Sequence, residues 1–248
     1  MQPNGIIFWD WNGTLLDDVD FTHGCLNWML ETHGYPQRYD LAEYREIFGF
    51  PIEEYYLRAG FDFARHPYPE LAARFMEHYN AGVERYCPAM ANAAATLAEL
   101  QRRGWQQAVL SASRRDYLIE QVRARGLEDY FTELLGLQDI YGVSKVQVGK
   151  DWLRHSGVDP AACVMVGDTT HDAEVAAAMG TKCVLCTSGH QSRARLEAVC
   201  AHVIDDISQL PGVLKPFKKQ KTKTDSVRAL QRVRALFCFG KDAAKRRR

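Results

Sequence analysis

The sequence predicts an α/β fold, a Rossmann-like parallel sheet with helices on both faces, plus an inserted all-helical lobe. Short apolar strand-like runs alternate with helix-length stretches through most of the chain, the alternation that builds a parallel sheet covered on both sides. The segment 17–86 breaks this alternation, with helical spacing throughout and no convincing strand. At 248 residues the chain can bury a full core, and its length fits one large domain carrying an inserted lobe.

In chain order, Gly5-Ile6-Ile7-Phe8-Trp9 reads as the first strand. The lobe at 17–86 follows, with Phe21, Cys25, Trp28 and Met29 on one helical face and Leu71, Phe75, Met76 and Tyr79 in a second stripe, both expected to face a core. Further strands are expected at 107–110, 163–166, 183–185 and 202–204, with helices at about 92–103, 115–126, 149–156 and 172–179. The sheet domain therefore takes residues 1–16 and 87–214. Past Pro211-Gly212 the composition shifts to a Lys-rich linker, and Val227, Leu230, Val233, Leu236 and Phe237 lie on one face of a basic amphipathic helix in the tail 215–248.

The formal net charge of zero hides an asymmetry, because the tail 215–248 holds 13 Lys+Arg against 2 Asp+Glu. The body is thus acidic and the tail basic. An anionic partner or membrane surface is one expected contact for the tail, and a solubilising end is the other. Too few aromatics interleave its cations to argue for nucleic acid. The sequence has no apolar run of roughly 18 residues and no basic-then-apolar leader, so a cytoplasmic protein is expected. The seven cysteines read as free thiols. Cys183 and Cys186 have CxxC spacing, but Cys183-Val-Leu-Cys186 reads as a buried strand with no second pair to complete a metal site.

The first strand leads into Asp10-Trp11-Asn12-Gly13-Thr14-Leu15-Leu16-Asp17-Asp18. Strand carboxyl ends form the ligand crevice of a parallel sheet, so Asp10 arrives where sites are built. Gly13 allows a sharp turn, and Thr14 offers a hydroxyl and an amide to an anion. A second strand end presents Ser111, with Ser113 as a weaker rival. A third presents Gly167-Asp168-Thr169-Thr170-His171-Asp172, and Lys145 stands before the helix that precedes that strand. Carboxylates at separate strand ends make a hard-oxygen site that suits Mg²⁺.

These residues resemble the four ordered motifs of the haloacid dehalogenase superfamily, over residues 4 to 210, and 17–86 is similar to the helical cap of its phosphoglycolate-phosphatase-like members. The resemblance implies a Mg²⁺-dependent phosphatase acting on a small phosphorylated substrate. In that scheme Asp10 attacks phosphorus to form an aspartyl-phosphate. Asp10, the Asn12 backbone carbonyl and Asp168 hold the metal. Thr14, Ser111, Ala112 and Lys145 bind phosphate, and Asp172 and Thr169 support them from behind. Lys145 is preferred to Lys150 because twelve residues separate it from Gly157, as in several superfamily members.

One departure stands out. Superfamily phosphatases usually carry a second Asp two residues after the nucleophile to protonate the leaving group, and Asn12 cannot do this, which could cost roughly 10²–10⁴-fold in rate. The alternative function is therefore a weakly active or non-catalytic member that binds a phosphorylated ligand or a protein partner. His171 could substitute, although a surface histidine is the plainer reading. Asp17 and Asp18 read as a capping pair for the first helix of the lobe. Arg45, Tyr55 and Arg58 are candidate cap contacts to substrate.

Overall fold

The computed structural model describes residues 5–138 and 144–214. The expected amphipathic helix of the tail lies outside the described residues. Six parallel strands form one sheet: β1 (Gly5–Trp9), β2 (Trp105–Arg114), β3 (Glu133–Leu137), β4 (Cys163–Gly167), β5 (Lys182–Cys186) and β6 (Val203–Ile204). Their spatial order is β3-β2-β1-β4-β5-β6, so β1 is central and the order reverses direction beside it.

Every residue of β1 is buried, as a strand covered on both faces requires. Side chains alternate between the two faces. Ile7 and Trp9 join Leu97, Val109, Leu118 and Val122, under α5 (Ala93–Arg102) and α6 (Arg115–Ala124). Ile6 and Phe8 join Trp152, Met165 and Val175, under α7 (Lys145–Ser156) and α8 (Thr170–Met179). Buried polar groups on this face are satisfied: Trp9 Nε1 donates to Gln107 Oε1 at 3.1 Å, Gln107 Nε2 donates to Leu97 O at 3.0 Å, and Trp11 Nε1 donates to Gln121 Oε1 at 2.8 Å.

Between β1 and α5 come four helices, α1 (Val19–Thr32), α2 (Leu41–Ile47), α3 (Ile52–Arg58) and α4 (Tyr68–Tyr86). They pack around a separate apolar cluster that includes Leu26, Met29, Tyr44, Tyr55, Tyr56 and Leu71. The expected stripes face inward except at Met76, which is 44% exposed. One residue on from Phe75, it is turned about 100° off the apolar face of α4. A capping box between Asp40 and Glu43 starts α2.

Three elements differ from expectation. The strand β3 was not anticipated, because Glu-Leu-Leu-Gly-Leu is short and interrupted by glycine. Gly136 is required there, since a Cβ would come within 2.8 Å of Ser113 O. Its pairing extends β2 beyond 107–110, with a register shift between Leu110 and Arg114. The third difference is α7, which starts at Lys145 rather than 149, because Ser144 caps it by accepting from Gln147 N at 3.2 Å. Lys145 is therefore the first residue of the helix. Two short helices, α9 (Arg193–Glu197) and α10 (Leu210–Val213), complete the described residues.

Phe8 is fully buried edge-on to Trp152, with ring centroids 5.3 Å apart. Phe8→Ala is expected to cost about 3–5 kcal/mol in urea denaturation. Leu57→Ala, at a position 51% exposed, should stay within about 0.5 kcal/mol of the parent.

Candidate active site

The site forms where β1 and β4 run side by side, with Trp9 opposite Val166 and Asp10 N donating to Val166 O at 2.8 Å. This is the point at which strand order reverses, where crevices open at the carboxyl ends. Asp10 follows β1, Asp168 follows β4, and Ser111 lies on β2, the other neighbour of β1. From the far side α7 delivers Lys145, whose Nζ is 2.6 Å from Asp10 Oδ1 and 2.6 Å from Asp172 Oδ1. Oxygens of Asp10, Asp168 and Asp172 all lie within 4.8 Å of one another, a group able to hold a metal ion.

Asp168 and Asp172 are held by backbone and hydroxyl donors around them. Asp168 accepts from Thr14 Oγ1 at 2.8 Å and from His190 N at 2.7 Å. Asp172 Oδ2 accepts from Asp168 N at 3.2 Å, Thr169 N at 3.1 Å and Thr169 Oγ1 at 2.7 Å. Space for this packing comes from glycines. Gly13 has φ +70°, and a Cβ there would sit 2.5 Å from Asp168 Oδ2. Ser111 is buried and its Oγ accepts from Ser113 N at 3.1 Å, which keeps the hydroxyl proton for another acceptor. Ala112 follows it, half-buried on β2. Lys150 is exposed on α7, whereas Lys145 is buried between two acids.

The electrostatics follow from burial. Desolvation pushes the Asp10 carboxyl up to about 7 despite Lys145, with Asp172 and Asp168 adding to the rise. Desolvation likewise lifts Asp168 to about 6 against the opposing pull of His190. Asp172 goes the other way: burial would raise it, but Lys145 and the Thr169 hydrogen bonds hold it below the usual range. Burial also opposes the charge on Lys145, yet Asp10 and Asp172 outweigh it and keep the ammonium protonated.

Asn12 does not stand free beside Asp10. Its Nδ2 donates to Asp18 Oδ2 at 2.8 Å and to Tyr79 Oη at 2.8 Å, and its Oδ1 accepts from Ser113 Oγ at 2.9 Å. Asp18 proves not to be a capping residue. It precedes α1, but its side chain makes no cap bond and turns inward. There it accepts from Gly13 N at 2.8 Å and Tyr79 Oη at 2.6 Å, and it faces His190 Nε2 at 3.3 Å. Burial would raise this carboxyl, but His190, Tyr79 and Asn12 hold it below the usual range. Its neighbour Asp17 is exposed.

Asp18, Tyr79, His190 and Gln191 are site residues that the sequence reading missed. A signal existed for His190-Gln191, because they follow a strand, β5, at the same sheet end as Asp10 and Asp168. Nothing in the sequence marks Tyr79, whose partner is 61 residues away. His171 is half-buried and stacks on Phe50 from the inserted helices, with ring centroids 4.7 Å apart. Of the candidate cap contacts, Tyr55 is buried in the helical cluster, Arg45 Nε donates to Gly189 O at 3.0 Å beside Asp168, and Arg58 Nε donates to Ile47 O at 3.0 Å.

An Asp at position 12 would bring a second buried carboxylate to the 2.8 Å contact with Asp18. Like charge and burial would raise its folded pKa above the unfolded value of about 3.9, so the penalty appears as pH rises past that value. Asn12→Asp should therefore lose about 1–3 kcal/mol relative to the parent at pH 8 and much less at pH 4, read from urea midpoints at both pH values.

Residues 6–186 match the family model described as haloacid dehalogenase-like hydrolase. The phosphoglycolate phosphatase of Synechococcus elongatus is 26% identical over 197 residues, 78% of this chain and 89% of that protein. Pyrophosphatase PpaX of Halalkalibacterium halodurans is 22% identical over 173 residues, 69% of this chain and 78% of that one. Among solved structures, a haloacid dehalogenase-like hydrolase from Streptococcus pneumoniae superposes with TM-score 0.74 at 17% identity, covering 85% of this chain and 98% of that chain. A predicted phosphoglycolate phosphatase from Haemophilus somnus superposes with TM-score 0.68 at 18% identity, covering 85% and 98%. With most of its length matched by the family model and its acids and lysine gathered at one sheet end, the chain belongs to the haloacid dehalogenase-like hydrolases.

Proposed function

We propose that the chain is a Mg²⁺-dependent phosphatase that hydrolyses a small, phosphoglycolate-like phosphate monoester through attack by Asp10 on phosphorus. The observation that carries this reading is Lys145 Nζ, set 2.6 Å from Asp10 beside Asp168 and Asp172 at the open end of the sheet. Phosphoryl transfer asks mainly for positioning and charge stabilisation, and the arrangement is suited to both. Asp10 is the nucleophile. Lys145 and Ser111 hold the transferring oxygens, with the amides near Thr14 and Ala112 as further donors. Asp172 keeps Lys145 oriented. The helices of 17–86 act as a cap that excludes water.

A divalent cation fits the donor set, because three clustered carboxylates offer hard oxygens and Lys145 pairs with only two of them, Asp10 and Asp172. Asp10 and Asp168 would hold it, with the Asn12 carbonyl. Bound there, Mg²⁺ supplies positive charge that offsets repulsion between the carboxylate and a phosphate dianion.

A second reading, a weakly active or ligand-binding member, draws on Asn12. The amide carries no transferable proton, and its bonds to Asp18, Tyr79 and Ser113 fix it in place. Assays over a panel of phosphate monoesters with Mg²⁺ separate the readings. Turnover that falls at least ~10³-fold in Asp10→Asn supports hydrolysis. No turnover on any ester, together with retained phosphate binding, supports the second. The double exchange of Asn12→Asp with Asp18→Asn keeps one acid and one amide in contact. Because the exchange takes the acid from His190 and weakens the acceptor of Gly13 N, folding is checked by circular dichroism before assay, and a rise in turnover of the folded variant would identify the amide at position 12 as the rate-limiting deficit.

Stability should report the cation independently of activity. Asp10, near 7, and Asp168, near 6, bind protons more tightly folded than unfolded, so they destabilise the metal-free fold as pH rises from about 4 to above 7. Mg²⁺ competes with those protons. The rise in Tm on adding Mg²⁺ should be larger at pH 8 than at pH 5, and should vanish in Asp168→Asn.

A further inference from the structure

Two helix ends meet where the inserted helices sit on the sheet domain, and one side chain serves both. The last carbonyls of a helix and its first amides have no partner within it. At the end of α2 they are taken up from the segment between β5 and β6. Arg195 Nη1 donates to Arg45 O at 2.9 Å and to Phe48 O at 2.5 Å, and Gln191 Nε2 donates to Phe48 O at 3.0 Å. At the start of α8, Thr170 N donates to Gln191 Oε1 at 2.8 Å. Gln191 is fully buried, so neither half of its amide has water as a ready alternative.

The residue before it bridges the same two regions. His190 N donates to Asp168 Oδ2 at 2.7 Å on the sheet side, and His190 Nδ1 meets Tyr44 Oη at 2.8 Å on the α2 side. Phe48 stacks on the His190 ring, with centroids 4.7 Å apart. Gly49 lies against this seam, where a Cβ would come within 3.3 Å of Gln191 Nε2 and Arg195 Nη2. Two consecutive buried residues therefore each hold the acid-bearing stretch 168–172 with one group and the stretch 44–48 with another.

We propose that His190 and Gln191 are positioning residues that couple the seating of 44–50 to the placement of Asp168 and the first turn of α8, so that the acid cluster is fully formed only while α2 is seated. The inference rests on the reading of Asp168 as a cation-holding acid. Its physical basis is that the bonds leave no slack. Lifting α2 strips the partners from Gln191 Nε2 and His190 Nδ1, and both side chains then gain by turning toward water. That turn takes Gln191 Oε1 from Thr170 N and draws the His190 amide away from Asp168. A seated α2 thus favours ordered acids, and by reciprocity ordered acids favour a seated α2.

Hydrogen exchange of the full chain without added cation tests the coupling, because it reads local opening segment by segment. Tyr44→Phe removes one hydroxyl from α2 and should quicken exchange in 168–172 several-fold. Gln191→Leu should do the same across 44–50. Amides of α5 should keep the parent rate in both, which separates coupling from general loosening. Tyr55→Phe is the matched control, since Tyr55 is buried in the same helical cluster and its hydroxyl makes no hydrogen bond among the described residues. It should leave 168–172 unchanged. Quickening confined to the surroundings of each substitution, equal quickening in α5, or an equal response to Tyr55→Phe would overturn the coupling. Where Gln191→Leu fails to fold, Tyr44→Phe decides the matter. Added Mg²⁺ should also slow exchange at 44–50 in the parent, and a rise in Tm without that slowing would overturn the coupling. No rise in Tm would instead overturn the cation site, and the cation-free comparison would still decide the coupling.

Discussion

The structure depends on one electrostatic arrangement: three clustered carboxylates from two strand ends, two of them paired with the buried ammonium of Lys145. Removing any of these charges from solvent costs several kcal/mol, so the cluster persists only where the surroundings replace the lost hydration. Lys145 does this for Asp10 and Asp172, and backbone amides with Thr169 complete the shell of Asp172. The sheet exists in a form that makes this affordable. Adjacent parallel strands put Asp10 and Asp168 beside one another without strain, and the central strand is buried on both faces.

The same reasoning separates the two halves of the cluster. Asp172 has four donors including the ammonium, and it is held ionised. Asp10 has a single strong donor and little else, so desolvation prevails and its carboxyl is pushed up. An under-compensated buried acid is unfavourable for stability and favourable for reactivity, since it gains most from a bound cation or an arriving electrophile. The polar residues of the segment after β5 add a layer behind Asp168, with His190 bonded through its backbone to Asp168 and through its ring to Asp18 and Tyr44.

The fold and the acid cluster were legible in the sequence for a shared reason. Buried strands such as Ile6-Ile7-Phe8-Trp9 carry their signal locally, and the residues that follow them are placed by topology alone. The register of β1 with β4 then brings Asp10 to Asp168 with no further information. What was not legible depends on contacts across long separations. Tyr79 meets Asp18 because α4 crosses back over the first turn of α1, and no local pattern encodes that crossing. Edge strand β3 was hidden for a different reason, since its glycine serves a close backbone approach and lowers the strand signal. Asp18 was misread because an acid before a helix caps it often enough to be the sensible first reading, and here the side chain found stronger donors inward.

The identities of residues 12 and 18 are best understood as one choice. Their side chains are in direct contact, both buried or nearly so, with Tyr79 donating to the acid and accepting from the amide. Two carboxylates in that space would repel and leave a lone pair facing a lone pair. Two amides would leave His190 without its acid and Gly13 N with a weaker acceptor. One acid and one amide satisfy every donor in the group. The amide at position 12, next but one to Asp10, is therefore the residue that the local hydrogen bonding demands with Asp18 in place.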